Sequence, residues 1–332
     1  MNTRQIILQS RPLGAPALQD FKIEDTTLEE IQSGEVLLKG LYYSVDPYMR
    51  GRMNDAKSYI APFKINEPLE GGVVATVVES KSDNFKVGDT VVGNFPWKEI
   101  FLAKEDQVQK VDSSIPELSY YLSILGMTGL TAYFGLMDIC KPKAGETVVV
   151  SGAAGAVGIV VGQIAKLQGC RVVGIAGTDE KAKLLIDHFG FDQVINYKTT
   201  TDINQSVKEA CPDGVDVYYD NVGGEISDAV ISAINFHARI ALCGQIALYN
   251  SKEVPMGPRL QPMLLTRSVL MQGFIIFNYE DRFPEGIKQL STWVKEGKLD
   301  FTQTIVEGFD QLPTALLGLF EGVNTGKMIV KA

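Results

Sequence analysis

The sequence predicts an α/β protein built from a β-rich domain and a second domain with a doubly wound parallel sheet. Its 332 residues are enough for about two domains. Short strand-like runs dominate the chain up to residue 118, and strands alternate with helices from residue 120 onward. Strands that are separated by helices require right-handed crossovers, which produce a parallel sheet covered by helices on both faces.

The composition is that of an ordinary globular protein, with 45% hydrophobic and 21% charged residues. The 31 basic and 40 acidic side chains give a net charge of −9, so the average electrostatic field repels polyanions. We therefore expect a small-molecule substrate as the partner, and neither nucleic acid nor an anionic membrane. A small anionic cofactor can still bind, because nearby backbone donors and cations dominate at short range.

The cysteines and the apolar segments indicate the compartment. Cys140, Cys170, Cys211 and Cys243 are scattered without a C-x-x-C pair, which favours reduced thiols in the core. The first residues contain no apolar segment typical of a signal peptide. No apolar run approaches the roughly 18 residues that a membrane span needs. We therefore expect a cytoplasmic enzyme.

The first predicted domain is a barrel or sandwich of short strands. Its apolar runs are bounded by turns such as the one at residues 86–89, KVGD. The clearest predicted strands are residues 35–41, 72–79, 90–95 and 100–103.

The second predicted domain begins with a small-residue and apolar stretch, residues 120–137, that has helical character and ends before the turn at 141–146. The predicted strands that follow are residues 147–150, 171–176, 193–196, 215–220, 238–243 and 269–277. The predicted helices are residues 155–168, 179–189, 202–210, 224–234 and 283–296. The apolar run at 327–331 predicts a strand that returns to the first domain.

The run GAAGAVG at residues 152–158 is the strongest candidate for a nucleotide site. An apolar strand ends at Val150, a helix follows, and the next strand comes after the interval of a βαβ unit. Gly155 then occupies the position where the backbone approaches a pyrophosphate, and Gly158 the position where the helix packs against the strand. The spacing departs from G-x-G-x-x-G, and small-residue helix packing is the alternative interpretation. The phosphate-loop motif of nucleoside triphosphatases does not occur, which argues against that class.

The end of the second strand predicts which nicotinamide cofactor binds. NAD sites place Asp or Glu at this point to bind the ribose 2′-hydroxyl, whereas here the strand ends in Gly177-Thr178. Asp179 and Glu180 follow Thr178, the candidate N-cap of the next helix. The helix dipole stabilises acidic side chains in a first helical turn, which is sufficient to explain these two residues. Lys181 lies within reach of the strand end, so the pattern favours NADP(H). A solvated helix lysine is the alternative.

Four further motifs accompany the glycine run: YSVDPYMR at 43–50, GMTGLTAY at 126–133, DNVGG at 220–224 and NTGKMIVKA at 324–332. Together they resemble the zinc-independent medium-chain dehydrogenases/reductases, in the branch of prostaglandin reductases, leukotriene 12-hydroxydehydrogenases, plant alkenal double-bond reductases and bacterial curcumin reductases. The resemblance extends over nearly the whole chain. It implies a GroES-like domain at residues 1–120 and 298–332, a Rossmann domain at 121–297, and a homodimer formed through the last Rossmann strand.

The resemblance also implies an activity, the NADPH-dependent reduction of the carbon–carbon double bond of an α,β-unsaturated aldehyde or ketone. Lys181 and Tyr197 would contact the 2′-phosphate, and residues 274–276 would flank the nicotinamide. Asn324 would close over the cofactor. The full set of implied cofactor contacts is Met127, Thr128, Gly152, Ala154, Gly155, Ala156, Val157, Gly177, Lys181, Tyr197, Asn221, Cys243, Gly244, Phe274, Ile276, Asn324 and Gly326.

We expect no metal. Zinc-dependent relatives need His, Cys and acidic ligands in the first domain, often as a Gly-His-Glu triplet. The chain has two histidines, His188 and His237, and both fall in the predicted second domain. The comparable stretch of the first domain reads PLEGG at 68–72. Both histidines are interpreted as ordinary helix-end and turn residues.

Reduction without a metal needs oriented hydrogen-bond donors where negative charge grows on the carbonyl oxygen. Two tyrosines are the candidate catalytic residues. Tyr48 follows a proline in the first domain, and Tyr249 follows the Cys243-Gly244 turn, close to where ligands lie in a doubly wound sheet. Simple packing is the alternative for each. No Ser-His-Asp or Cys-His set can be assembled from the sequence.

Two other functions stay open. One is a NADPH-dependent quinone reductase of a sister zinc-free group. The motif at 45–50 and Tyr249-Asn250 favour the alkenal branch over this group. The other is a NADPH-binding protein without turnover, which a test of NADPH consumption with enones and quinones would reveal. Residues 252–262 contain three prolines and are predicted to form part of a lid over the substrate. The sequence does not identify the substrate.

Overall fold

The computed structural model describes residues 1–112, 115 and 117–332. The chain forms two compact units. The first contains Met1–Leu122, Gln303–Asn324 and Met328–Ala332, and the second contains Ser123–Thr302 and Thr325–Lys327.

The first unit begins with antiparallel strands. In chain order its elements are β1 Asn2–Leu8, β2 Phe21–Thr27, β3 Glu35–Ser44, α1 Met49–Arg52, β4 Glu70–Ser80, β5 Thr90–Pro96, β6 Ile100–Lys104 and β7 Gln109–Lys110. Strands β1 and β2 pair in a sheet of their own, whereas β3 pairs with both β4 and β6 in a larger sheet. Along β3, Val36 and Leu38 are buried while Lys39 is exposed, the alternation of a strand with one face on a core.

The second unit contains a six-stranded sheet with helices between its strands. Its helices are α2 Met127–Phe134, α3 Ala156–Leu167, α4 Asp179–Asp187, α5 Ile203–Ala210, α6 Gly224–Ser232, α7 Gln261–Thr266 and α8 Phe283–Lys295. Its strands are β8 Thr147–Ser151, β9 Arg171–Ala176, β10 Gln193–Asn196, β11 Val215–Asp220, β12 Ile234–Leu242 and β13 Leu270–Gly273. All five strand pairings are parallel, in the order β10-β9-β8-β11-β12-β13, and the predicted α/β fold class with a doubly wound sheet is confirmed.

The strand order locates the binding edge of this sheet. From β8 the chain proceeds outward to β9 and β10, and it then returns to β11 on the other side of β8. Ligands of doubly wound sheets lie beyond the carboxyl ends of the strands at this reversal. The loops that follow β8 and β11 therefore border the expected site.

The chain then returns to the first unit through β14 Gln303–Glu307, α9 Leu312–Glu321 and β15 Lys327–Lys331. Strand β15 pairs antiparallel with β3, joining Ile329 to Ser44 and Lys331 to Tyr42. This confirms the strand predicted at 327–331. Among the described residues, no helix combines the length and the apolarity that crossing a bilayer requires.

Several predicted elements differ in extent from the observed ones. The strand predicted at 238–243 begins at Ile234, and the helix predicted at 224–234 ends at Ser232. The strand predicted at 269–277 ends at Gly273, because the Asn278 side chain accepts a hydrogen bond from the Ile275 N–H (3.0 Å) and starts a 3-10 turn instead. The helical stretch predicted at 120–137 is broken before Met127. There the Ser123 carbonyl accepts hydrogen bonds from the Thr128 hydroxyl (3.0 Å) and the Gly129 N–H (3.1 Å), which bends the chain.

Candidate active site

The glycine turn joins β8 to α3 as the sequence predicts. The Gly155 N–H donates to the Gly152 carbonyl (3.0 Å), and Gly155 then precedes the first residue of α3. A Cβ atom at position 158 would lie 2.4 Å from the Gly152 carbonyl oxygen and 2.7 Å from the Ala153 Cα, so only glycine lets the helix approach the turn this closely. Ala156 and Val157 are partly exposed in the first turn of α3, and their N–H groups can therefore reach a pyrophosphate, whereas the Gly155 N–H is used within the turn.

A distant segment of the chain completes this turn. The Gly326 N–H donates to the Ala154 carbonyl (2.8 Å), and Gly326 forms a parallel bridge with Gly155. A Cβ atom at position 326 would lie 1.9 Å from the Thr302 carbonyl oxygen, and the φ of +65° also disfavours other residues. Gly326, predicted as a cofactor contact, thus has a packing role against the turn that the sequence did not reveal. Asn324 is half-buried and belongs to the first unit.

The end of β9 carries the residues predicted to bind the 2′-phosphate. Thr178 caps α4, since its hydroxyl accepts a hydrogen bond from the Lys181 N–H (3.2 Å). A Cβ atom at Gly177 would lie 3.1 Å from the Tyr197 hydroxyl and 3.3 Å from Lys198 Cε. Tyr197 and Lys198 therefore flank the strand end at Gly177.

The electrostatics of this strand end suit an anion. Lys181 is half-buried, and burial, together with the neighbouring positive charge of Lys198, lowers the pKa of its ammonium group. Asp179, an acid near the strand end, accepts a hydrogen bond from Asn196 Nδ2 (2.7 Å). Lys198 was not predicted, although it directly follows Tyr197. A phosphate dianion placed between the two lysines would relieve their mutual repulsion.

The loop after β11 is held against the end of β8. The Asn221 N–H donates to Ser151 Oγ (2.9 Å), and Asn221 Nδ2 donates to the Ser151 carbonyl (2.8 Å). The Ser151 hydroxyl in turn donates to the buried carboxylate of Asp220 (2.9 Å). Asn221 is thus fixed at the reversal of the sheet, and its contact with the cofactor stays a prediction.

Tyr249 lies at the carboxyl end of β12, above the Cys243-Gly244 turn. Its phenol oxygen accepts a hydrogen bond from the Gln245 N–H (3.2 Å), and a Cβ atom at Gly244 would lie 3.4 Å from the same oxygen. Burial raises the pKa of the Tyr249 phenol, which keeps it protonated at neutral pH. Burial also raises the pKa of Cys243 to about 12, so this thiol is a poor nucleophile.

The remaining predicted contacts of the second unit have structural partners of their own. Phe274 is buried and meets Tyr219 edge to face, with ring centroids 6.4 Å apart. Ile276 follows it in the 3-10 turn after β13. Met127 and Thr128 begin α2, and the Thr128 hydroxyl donates its proton to the Ser123 carbonyl, so in a further contact this hydroxyl could act only as an acceptor.

Tyr48, the candidate of the first unit, immediately precedes α1. It is partly buried and packs against the hydrophobic core of that unit. Burial and the charge of Asp46 raise the pKa of its phenol, while the Arg52 guanidinium lowers it.

The two histidines have partners outside any metal cluster. His188 Nε2 lies 2.8 Å from an Asp300 carboxylate oxygen, and the backbone N–H of His237 donates to the Arg267 carbonyl (2.8 Å). Within residues 1–112, 115 and 117–332, no group of three His, Cys, Asp or Glu side chains is arranged as metal ligands.

Known proteins resemble this chain over almost its whole length. Residues 4–111 match a family described as the N-terminal domain of oxidoreductase, and residues 156–292 match one described as zinc-binding dehydrogenase. A putative NADP-dependent oxidoreductase, YfmJ, of Bacillus subtilis (strain 168) is 56% identical over 99% of this chain and 97% of its own.

Two further relatives have more specific names. The NADPH-dependent curcumin reductase of Escherichia coli (strain K12) is 41% identical over 99% of this chain and 96% of its own. The 2-alkenal reductase (NADP(+)-dependent) of Nicotiana tabacum is 41% identical over 99% of this chain and 97% of its own. Among solved structures, CurA from Vibrio vulnificus in complex with NADPH superposes with a TM-score of 0.95 at 42% identity, covering 99% of each chain.

Proposed function

The chain belongs to the zinc-independent medium-chain dehydrogenase/reductase family, and we propose that it reduces the carbon–carbon double bond of α,β-unsaturated aldehydes and ketones with NADPH. Relatives named for curcumin and 2-alkenal reduction support the reaction class. The observation in the structure that carries the proposal is the position of Tyr249, a neutral phenol at the carboxyl edge of the sheet, next to the loop after β11.

The second unit fits the parts of NADPH. The N–H groups of Ala156 and Val157 suit the pyrophosphate. Lys181, Lys198 and the Tyr197 hydroxyl suit the 2′-phosphate, since they combine two cations with a neutral donor at one strand end. When bound, NADPH supplies the hydride for the reduction.

Tyr249 serves as the hydrogen-bond donor to the substrate. The bond from the Gln245 N–H occupies a lone pair of the phenol oxygen and restrains its position, and a phenol oxygen that accepts one hydrogen bond can still donate its proton to the substrate. A donor fixed in this way stabilises the negative charge that grows on the carbonyl oxygen of an enone as its double bond is reduced. Tyr48 is the second candidate donor, because its phenol is also kept neutral by burial.

A substrate panel tests the function. Purified protein is mixed with NADPH and an enal, an enone or a quinone, and the loss of NADPH absorbance is followed. We expect turnover with the enal and the enone, and product analysis should show a saturated carbon–carbon bond beside an intact carbonyl. Turnover with the quinone alone would favour a quinone reductase. Tight NADPH binding without any turnover would favour a binding protein.

We further propose a homodimer that forms through β13. In the described part of the chain this strand pairs only with β12, so its outer edge is open to a second copy. Leu270 on this edge is 47% exposed. An open edge with apolar side chains favours strand pairing. Light scattering should therefore give twice the chain mass, and a Leu270→Lys variant should shift the protein toward the monomer.

A cytoplasmic location is the last part of the proposal. All four cysteines are free thiols, which suits a reducing compartment. Fractionation of cells that express the tagged protein should recover it with cytoplasmic markers.

A further inference from the structure

Asp220, the last residue of β11, has a fully buried carboxylate that the reaction itself does not use. Its Oδ1 accepts hydrogen bonds from the hydroxyls of Tyr218 (2.8 Å) and Ser151 (2.9 Å) and from the N–H groups of Val222 (3.0 Å) and Gly223 (2.9 Å). Its Oδ2 accepts hydrogen bonds from Ser227 Oγ (2.9 Å) and Gln245 Nε2 (3.0 Å).

These six donors are all neutral groups. A buried carboxylate is costly unless hydrogen bonds replace its hydration, and hydrogen bonds to a charged acceptor are stronger than those between neutral groups. Burial and the Asp220 charge raise the pKa of Tyr218, which keeps that phenol protonated as a donor. The carboxylate therefore holds each donor firmly in place.

Tyr218 lies in β11 itself and Ser227 in α6, whereas the other four donors border the reversal of the sheet. Ser151 ends β8 just before the glycine turn, residues 222–223 lead from β11 into α6, and Gln245 follows β12. The backbone carbonyl of Asp220 adds two bonds, from the N–H groups of Cys243 (2.9 Å) and Gly244 (3.0 Å). Asp220 thus connects the carboxyl ends of β8, β11 and β12. Asn221 follows β11, and Tyr249 follows β12.

We propose that Asp220 is a positioning residue for the nicotinamide half of NADPH. The inference rests on the proposed function for the identity of the cofactor. Asp220 is bonded to Ser151 at the end of β8 and to the loops after β11 and β12, whereas Gly177 and Lys181 follow β9. Loss of the carboxylate should therefore weaken contacts with the nicotinamide half and leave those with the adenosine 2′-phosphate half intact.

The Asp220→Asn variant tests this with minimal change in shape. Asparagine retains one oxygen but presents an NH₂ group in place of the other, and this group cannot accept a hydrogen bond from Gln245 Nε2. A matched control is Asp216→Asn, on the same strand. The Asp216 carboxylate accepts hydrogen bonds from the Thr147 N–H (2.9 Å) and Asn235 Nδ2 (2.8 Å), which tie together the strand starts at the opposite edge of the sheet.

The readout is the dissociation constant for NADPH compared with that for 2′,5′-ADP, which carries only the phosphate half. In Asp220→Asn we expect the NADPH constant to rise about tenfold or more, while that for 2′,5′-ADP stays within about twofold. The turnover number with an enone should fall by about tenfold or more as well. In Asp216→Asn the ratio of the two constants should be unchanged.

The inference would be overturned if Asp220→Asn weakened the binding of NADPH and of 2′,5′-ADP equally, so that the ratio of their dissociation constants stayed the same. If that variant does not fold, Gln245→Met decides, because it removes one donor and leaves the carboxylate in place. We expect the ratio to rise about threefold or more in Gln245→Met, and an unchanged ratio would count against the proposal. Failure of the wild-type protein to reduce any enone contradicts the proposed function alone, since the two binding constants test Asp220 independently.

Discussion

Replacing Lys181 by alanine should remove most of the preference for NADPH over NADH. The half-buried ammonium group of Lys181 lies at the end of β9, where Lys198 and Tyr197 flank Gly177. NADH lacks the 2′-phosphate that these groups would bind. The substitution should therefore affect the two cofactors very differently.

The magnitude follows from one hydrogen bond between charged groups, which contributes about 1.5–3 kcal/mol. Because each 1.4 kcal/mol corresponds to a factor of about ten, kcat/KM for NADPH should fall by about 10–150-fold. Lys198 remains in the variant and retains part of the attraction for the phosphate, so we expect the lower half of this range.

Steady-state kinetics with one enone at saturation and each cofactor varied would measure the effect. Lys183→Ala is the matched control, because Lys183 lies on the same helix and is paired with Asp187 on the exposed surface. The control should leave both cofactors unaffected. An equal loss for NADH and NADPH in Lys181→Ala, or equal use of both by the wild-type protein, would refute the reasoning.

Four further results are expected. Tyr249→Phe should lower turnover by about 100-fold or somewhat less, because loss of one oriented donor typically costs 10²–10³ and Tyr48 is a second candidate donor. Wild-type turnover with unchanged NADPH affinity would leave Tyr249 only a packing role. Gly158→Ala should lower the free energy of unfolding by about 1–3 kcal/mol through overpacking, as measured in a thermal melt. The control Gly51→Ala should be neutral or stabilising, because a Cβ atom at position 51 meets nothing within 4 Å. The KM for NADPH should rise with pH relative to the KM for NADH. The pKa of Lys181 is lowered, so its deprotonation removes a cation from the candidate phosphate site. A constant ratio of the two KM values from neutral pH to pH 10 would contradict this. A strong chelator should leave the rate unchanged, and one zinc per chain in elemental analysis would disprove metal independence.

The features that the sequence predicted well depend on neighbouring residues. The glycine turn follows from the apolar strand before it and the helix after it, and the absence of an acid after β9 is a local property of residues 177–178. Local patterns of this kind persist in the structure because the turn and the helix start are determined within one βαβ unit.

The features that were missed depend on which strand ends become neighbours. Lys198 joins the phosphate region because β10 pairs beside β9, and Asp220 meets Ser151 because β11 pairs beside β8. Neither pairing can be deduced from spacing along the chain. Strand β2 also escaped notice, since its sequence FKIEDTT is mostly polar and buries one residue, Phe21.

The bond between Gly326 and the glycine turn has a consequence for how the protein assembles. Gly155 and Gly326 are separated by 326 − 155 = 171 positions, so their pairing closes a very long loop of chain. Between Thr302 and Thr325 the chain belongs to the other unit, where it forms β14 and α9. Contacts between such distant positions form late in folding, since the chain entropy of the intervening residues must be lost first. The glycine turn is therefore complete only after the chain has returned to the second unit at Thr325.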